Sequence, residues 1–204
     1  MPAESTTSSE STPRATENRS TTPVSTTFAE YISSRWAERV SVPQPLRTAA
    51  ARASERRAII SSMHRGERLV IPAGGAAVRS NDTDYPFRAH SAFAYLTGWG
   101  SDSVPGSVLV LTPDAGGHTA TLYFRKAAGR NSDEFYANSD IGEFWTGVRP
   151  SLDEVSAELG LATADLAELS ELIENFEGAT VIVREADREL TDQLDGRQIG
   201  RAHV

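Results

Sequence analysis

The sequence predicts an α/β fold in which a mixed β-sheet is flanked by helices. Three observations lead to this prediction. Short apolar runs with the pattern of buried strands occur at 69–71, 107–112, 119–125 and 180–183. Segments with helical spacing of apolar residues lie between these runs, so strands and helices alternate along the chain. The length of 204 residues is enough for one ordinary domain with a buried core.

Composition excludes several classes of function. The net charge of −8 argues against a nucleic-acid partner, because such binding depends on clustered Lys and Arg. The chain has no cysteine, which excludes disulfides, thiolate zinc sites and a cysteine nucleophile. It also has no continuous apolar stretch of the kind found in signal peptides and membrane-spanning helices. We therefore expect a cytoplasmic protein with no membrane partner.

The chain begins with residues 1–27, which consist mainly of Ser, Thr, Pro and Glu. Such a segment cannot bury enough apolar surface to offset its ordering entropy, so we expect a disordered tail. Helical spacing begins near residue 28 and is expected to end before two prolines. The apolar positions of this short helix are Phe28, Tyr31, Ile32, Trp36 and Val40, and the prolines are Pro43 and Pro45.

A second helix is predicted from Leu46 to His64. Its expected core-facing residues are Ala49, Ala53, Ile59, Ile60 and Met63. The same helix carries four arginines, at positions 47, 52, 56 and 57. They could form a phosphate or nucleic-acid patch, but a solvated helix face fits the acidic chain better. The apolar run Leu69–Ile71 then predicts a buried strand.

The stretch from residue 79 to residue 98 changes character at its middle. Its first half, up to Pro86, is rich in the turn-forming residues Ser, Asn and Asp. From Phe87 to Thr97, most residues on both of the alternating faces are apolar or small. This pattern predicts an inner strand of a covered sheet, which Gly98 ends.

The remaining elements follow from local patterns. Ser107–Thr112 and Thr119–Arg125 predict two strands joined by a hairpin. Ser151–Glu154 has the spacing of a capping box, which predicts that a helix begins there. The last three segments in chain order are a helix at 165–176, a strand at 180–183 and a helix at 187–194.

We find no catalytic or metal-binding constellation within the sequence. The four histidines are far apart and lack zinc-site spacing; they are His64, His90, His118 and His203. Asp82-x-Asp84 resembles the start of a calcium loop, but the sixth position is Phe87 where the turn needs glycine. His90 and Ser91 would point to opposite faces of a strand, so they are not predicted to act as a base and nucleophile.

The same stretch carries a family resemblance. The run Arg79-Ser-Asn-Asp-Thr-Asp-Tyr-Pro-Phe-Arg88, followed by Ser91-x-Phe93-x-Tyr95-Leu96-Thr97-Gly98, resembles the signature of the N-terminal domain of Xaa-Pro aminopeptidases (aminopeptidase P). The similarity extends more loosely from about Arg47 to about Asp195. It implies the α/β fold of the creatinase/prolidase N-terminal domains, and a chain that lacks the catalytic "pita-bread" domain.

The resemblance also implies an activity for the full-length protein. Such enzymes are metalloaminopeptidases that remove the N-terminal residue from peptides with proline in second position. They use two divalent metal ions, usually manganese, which the missing C-terminal domain would bind. The resemblance further implies a homo-oligomer, in which Tyr136 faces a neighbouring subunit's cleft. A surface aromatic residue on a short helix is the alternative interpretation of Tyr136.

Two other interpretations of the chain stay open. The fold could serve as a stand-alone oligomerisation or binding module, or it could precede a prolidase or creatinase. The residues Asp-Thr-Asp-Tyr-Pro-Phe-Arg favour the aminopeptidase over a prolidase or creatinase.

We expect a domain at 28–195 and a non-native end at 196–204. From about Ile199, the residues can be encoded by the start of a widely used sequencing adapter, so His203 is not expected to be a ligand.

Overall fold

The computed structural model of the protein describes residues 25–38, 44–80, 83–130, 132, 134–138 and 141–201, the last five as backbone only. The helices are α1 (Thr26–Ser33), α2 (Thr48–Met63), α3 (Ser91–Thr97), α4 (Glu134–Ala137), α5 (Glu143–Thr146), α6 (Leu152–Leu159), α7 (Leu169–Glu174) and α8 (Arg188–Arg201). The strands are β1 (Arg68–Pro72), β2 (Val78–Ser80), β3 (Thr83–Asp84), β4 (Val108–Asp114), β5 (Gly117–Phe124), β6 (Ala162–Asp165) and β7 (Thr180–Ile182).

A five-stranded mixed sheet organises the domain, in the order β6–β5–β4–β1–β7. The central strand β4 pairs antiparallel with both β1 and β5. The two outer strands, β7 and β6, are parallel to the strands they pair with. Strands β2 and β3 form a separate two-stranded ribbon. The predicted α/β class with a mixed sheet is confirmed.

Each face of the sheet has its own apolar core, because side chains alternate along a strand. On one face, residues such as Leu109 and Leu122 pack with Phe93 of α3 and Leu159 of α6. On the other face, Val110 and Tyr123 pack with residues of α7 and α8, which are Leu169, Ile173, Leu190 and Leu194. The sheet is therefore the middle layer of three.

The predicted inner strand at 87–97 is wrong. Residues 85–90 form an irregular segment, and Ser91–Thr97 form helix α3. Phe93, Leu96 and Thr97 are buried, which is helical spacing, whereas the ring of Tyr95 is exposed. The short run of small and apolar residues fits either periodicity, and packing against α2 and the sheet decides between them.

Helix α2 presents a different face to the core than predicted. Ala53 is buried and Ile60 packs at the edge of the core, but Ile59 and Met63 are exposed. The predicted core residue Ala49 is exposed as well, and its neighbour Ala50 is buried instead. The arginines do not form one solvated face, since Arg57 is buried and donates to the Leu96 carbonyl at 2.7 Å.

The other predicted elements are confirmed, with shifted bounds. Strands β1, β4, β5 and β7 and helices α6 and α8 lie where expected, and Ser151 and Glu154 form the predicted capping box. Strand β6 was not predicted, and the helix expected at 165–176 is divided into a 3₁₀ turn at Leu166–Glu168 followed by α7. Helix α8 continues past Asp195 to Arg201.

The first helix is shorter than predicted and begins earlier. Helix α1 spans Thr26–Ser33, and the Ser25 hydroxyl caps it by accepting from the Phe28 amide.

Residues 1–24 of the expected tail lie outside the described residues, as do Val40, Pro43 and His203. Within the described ranges, no helix has the length and apolar character needed to span a membrane.

Candidate functional site

Tyr136, which the resemblance places at a subunit cleft, lies on the short helix α4. Its ring is half-buried and meets the edge of the Phe28 ring, with centroids 5.2 Å apart. The indole Nε1 of Trp145 donates to the Tyr136 carbonyl oxygen at 2.8 Å. Helix α1 and helix α5 therefore hold Tyr136 from two sides.

The residues beside Tyr136 anchor helix α4 to the domain. Phe135 is buried, and its ring packs against Trp36 at a centroid distance of 5.5 Å. Glu134 forms an ion pair with Arg149, a residue that is only 8% exposed. An ion pair at such a site is shielded from solvent, so the orientation of α4 is well defined.

The turn between α4 and α5 depends on Gly142. The Gly142 amide donates to the Asn138 carbonyl at 2.8 Å. A Cβ atom at this position would lie 2.5 Å from the Asn138 oxygen and 2.6 Å from the Glu134 oxygen. Any other residue would force the two short helices apart, and Trp145 would then lose its contact with Tyr136.

An exposed aromatic surface adjoins Tyr136. We define it as the partly exposed rings of Trp36, Phe144 and Trp145. The rings are packed edge to face, for example Phe144 on Trp145 with centroids 5.0 Å apart. A cluster of large apolar side chains in contact with water is typical of a surface that contacts another domain or chain.

The signature stretch is divided between two environments. Its first part lies in the exposed β2–β3 ribbon, and Tyr85, directly after β3, is largely exposed. Its second part is α3, which is buried against the sheet. Asn81 and Asp82 lie outside the described residues, so the calcium-loop pattern at Asp82-x-Asp84 has no described geometry.

The three described histidines lie on separate elements. His64 ends α2 and its Nδ1 lies 2.8 Å from Glu67 Oε2. His90 caps α3, where its Nδ1 accepts from the Ala92 amide at 3.3 Å. The prediction that His90 and Ser91 point to opposite faces of a strand is therefore wrong, because both residues lie at the start of a helix. Among the described residues, no group of three or more His, Asp or Glu side chains could hold a metal ion.

The structure also brings together two residues that the sequence did not connect. His118 on β5 has Nδ1 at 2.8 Å from the Ser61 hydroxyl of α2 and Nε2 at 2.7 Å from the Glu67 carbonyl. Nearby Asp114 accepts from the Thr119 hydroxyl and from the hairpin amides, and these hydrogen bonds lower its pKa. Ser61 and His118 are too far apart in the chain for any local motif to reveal their contact.

Comparison with known proteins gives one consistent result. The profile of the family described as aminopeptidase P, N-terminal domain, matches residues 53–183. The chain is 40% identical over 165 residues to Xaa-Pro aminopeptidase 1 of Streptomyces coelicolor, covering 80% of this chain and 33% of that protein. It is also 40% identical over 158 residues to Xaa-Pro aminopeptidase 2 of the same organism, covering 70% of this chain and 33% of that protein.

A solved structure shows the same fold. The structure of aminopeptidase P from Escherichia coli in its low-pH form aligns with a TM-score of 0.55 and 25% sequence identity. The alignment covers 76% of this chain and 34% of the Escherichia coli chain. The protein thus spans about a third of the length of the relatives it matches.

Proposed function

Because the chain belongs to the family of aminopeptidase P N-terminal domains, we propose that it is the non-catalytic N-terminal domain of a Xaa-Pro aminopeptidase. The observation that carries this proposal is the family match over residues 53–183 in a chain that spans about a third of its relatives. The full-length enzyme would remove the N-terminal residue from peptides with proline in second position. The domain itself would occupy residues 28–195, with the catalytic domain downstream.

The proposed metal chemistry belongs to that downstream domain. The full-length enzyme would use two divalent ions, with manganese as the expected metal. The described residues of this chain do not fit such a pair, since they bring together no three metal-ligating side chains. A pair of divalent ions needs several carboxylate or imidazole ligands. No step of the reaction is therefore assigned to residues of this chain.

The domain would contribute to the enzyme through the surface around Tyr136. We assign this surface to contact with a second subunit of a homo-oligomer, where Tyr136 would form part of the wall of the partner's cleft. Two features support this role. Helix α4 is held by the Glu134–Arg149 ion pair and by buried Phe135, and the exposed aromatic surface lies beside it.

We also propose a cytoplasmic location, since a chain without cysteine is compatible with a reducing compartment.

A chimera tests the proposal. Residues 28–195 would replace the matching third of the Streptomyces coelicolor relative, and cleavage of an Xaa-Pro-Xaa peptide would be measured with manganese. We expect turnover by the chimera and none by the 204-residue chain alone. Turnover by the chain alone would overturn the proposal. A folded, manganese-loaded chimera without activity would favour a stand-alone binding module.

Tyr136 can be tested in the same chimera. Tyr136→Ala is expected to lower kcat/KM by roughly tenfold or more, because a ring removed from a substrate cleft loses about 1–3 kcal/mol of contact. Tyr136→Phe keeps the ring and should keep most of the activity. Tyr95→Ala removes an exposed ring on α3, outside this surface, and is the matched control. Equal activity of the Tyr136→Ala variant and this control would refute the cleft assignment.

A further inference from the structure

A cavity of about 650 Å³ opens on the side of the domain where α2 faces the β4–β5 hairpin. Its lining includes Ser61 near the end of α2, Arg65 just after that helix, and Asp114, Gly117 and His118 from the hairpin. Helices α4 and α5 contribute no lining residue, so the cavity is separate from the Tyr136 surface. Neither the proposed peptidase activity nor the proposed subunit contact uses it.

The hydrogen bonds of His118 define which of its nitrogens carries the proton. Nε2 lies 2.7 Å from the Glu67 carbonyl oxygen, and a carbonyl oxygen can only accept. Neutral His118 therefore has its proton on Nε2 and a lone pair on Nδ1. The Ser61 hydroxyl, at 2.8 Å, donates to that lone pair. This is the relation of a nucleophile to a general base, with the Glu67 carbonyl holding the imidazole in place.

The close approach of α2 to the hairpin depends on a glycine. A Cβ atom on Gly117 would lie 2.8 Å from the Ser61 hydroxyl oxygen. Gly117 also has a φ of 139°, which is a region that other residues rarely adopt. The hairpin can therefore place His118 beside Ser61 only because residue 117 has no side chain.

The charges around the pair suit proton transfer to His118. Asp114 stays ionised because its hydrogen bonds lower its pKa, and it interacts electrostatically with His118. Arg65 lines the same cavity and brings positive charge to it.

We propose that Ser61 is a reactive serine, activated by His118, that takes up acyl or phosphonyl groups from activated esters and related compounds. The Ser61 oxygen attacks the carbonyl carbon or phosphorus, and its proton moves to His118 Nδ1. The bond to the leaving group then breaks, and the leaving group departs with that proton. The product is a Ser61 ester and a free alcohol, phenol or acid.

Release of the bound group is expected to be slow. The Gly116 amide donates to Asp114 Oδ1 at 2.8 Å, so this amide of the hairpin is engaged and cannot stabilise an oxyanion. Attack on an activated ester and hydrolysis of the Ser61 ester both pass through such an oxyanion. In attack the group that leaves is a stable anion, whereas in hydrolysis it is the much more basic Ser61 alkoxide, so hydrolysis is the slower reaction. The reaction should therefore appear as the modification of one serine per chain and not as rapid turnover.

The direct test uses the 204-residue chain and an alkyl fluorophosphonate, which loses HF when it reacts with a serine. Intact mass should rise by one phosphonyl group, and peptide mapping should place it on Ser61. Ser61→Ala should abolish the modification. Ser62→Ala is the matched control, because Ser62 is exposed and its hydroxyl donates to the Ile59 carbonyl. Modification of Ser62 or of no serine in folded protein would overturn the proposal.

The role of His118 is tested separately. His118→Gln should lower the rate constant for Ser61 modification by about 100-fold, the lower end of general-base effects. A second variant does not depend on the serine chemistry: Ser61→Cys creates the single thiol in a chain that has no cysteine. Iodoacetamide should alkylate this thiol at least about tenfold faster with His118 present than in the Ser61→Cys/His118→Gln variant. Equal rates, with unchanged unfolding midpoints, would show that the pair only ties α2 to the hairpin.

Discussion

Single residues in this domain are most constrained where two backbone segments come close together. The Gly142 amide donates to the Asn138 carbonyl just after α4, and Gly117 lies against the Ser61 hydroxyl. The orientation of a polar side chain is constrained by its hydrogen bonds to other groups of the protein. Asp114, for example, accepts from the Thr119 hydroxyl at 2.6 Å. Substitutions at these positions test the local geometry directly.

Gly142→Ala is expected to destabilise the domain by about 1–3 kcal/mol, the usual effect of forcing extra atoms into a packed site. The added Cβ would lie 2.5 Å from a backbone oxygen, so either α4 or α5 must move. Urea unfolding measures the change in the free energy of unfolding. Gly129→Ala is the control, because a Cβ at Gly129 has nothing within 4 Å. Equal stability of the two variants would contradict the packing described for the α4–α5 turn.

Asp114 should titrate below the ordinary aspartate value of 3.8, chiefly because the Thr119 hydroxyl donates to it. A folded-state pKa that is lowered stabilises the protein above the unfolded-state value. This stabilisation is lost as the pH falls from about 3.8 through the lower folded-state pKa. Thr119→Val should move the NMR titration of the Asp114 carboxyl back towards 3.8. An unchanged titration midpoint would mean that Thr119 is not the principal cause.

Among the secondary-structure elements, several short helices are defined by their ends. Helix α6 begins with the Ser151–Glu154 capping box and ends at Gly160, which is left-handed. Helix α3 is capped by His90 at its start and by the left-handed Gly98 at its end. Helices of this length are not stable alone in water, so capping and packing both contribute to their formation.

Ser151→Ala should lower the free energy of unfolding by about 1 kcal/mol, the typical effect of removing a helix N-cap. The Ser151 hydroxyl accepts from the Glu154 amide at 3.2 Å, and the Glu154 carboxylate accepts from the Ser151 amide at 2.7 Å. Ser170→Ala, at an exposed position of α7, should change the stability by less than about 0.5 kcal/mol. An equally small change for both variants would show that Val155 and Leu159 alone hold α6.

For the molecule as a whole, the sheet is the layer on which both cores depend. Strand β4 is central, and alternate residues along it enter opposite cores: Leu109 and Leu111 on one side, Val108 and Val110 on the other. The sheet contributes residues to the apolar cores on both of its faces. Loss of packing on β4 should therefore affect the unfolding of the entire domain.

Leu109→Ala is expected to lower the free energy of unfolding by about 2–5 kcal/mol, as for other fully buried leucines. Leu109 has no exposed surface and lies in the central strand. Leu46→Ala is the matched control, since Leu46 is 55% exposed, and it should cost less than about 1 kcal/mol. Thermal unfolding should remain a single transition in both variants. Two separate transitions in the Leu109→Ala variant would show that the layers fold independently.

The sequence by itself determined the α/β class, the hairpin of β4 and β5, the capping box of α6 and the family. These features depend on interactions between residues that are close in the chain, or on residue types that the signature stretch contains. Alternating apolar residues favour a strand in any domain, and a serine three positions before a glutamate favours the start of a helix. For this reason they could be predicted without knowledge of the tertiary structure.

The tertiary structure alone decided the conformation of residues 91–97, the face of α2 and the contact between Ser61 and His118. A seven-residue apolar run fits a helix or a strand equally well, and distant packing against α2 and the sheet selects the helix. Arg57 is buried because the Leu96 carbonyl accepts from it, which no periodicity reveals. Ser61 and His118 meet because β5 pairs with β4 beneath α2. Contacts of this kind form between distant parts of the chain, and only the folded arrangement of the elements determines them.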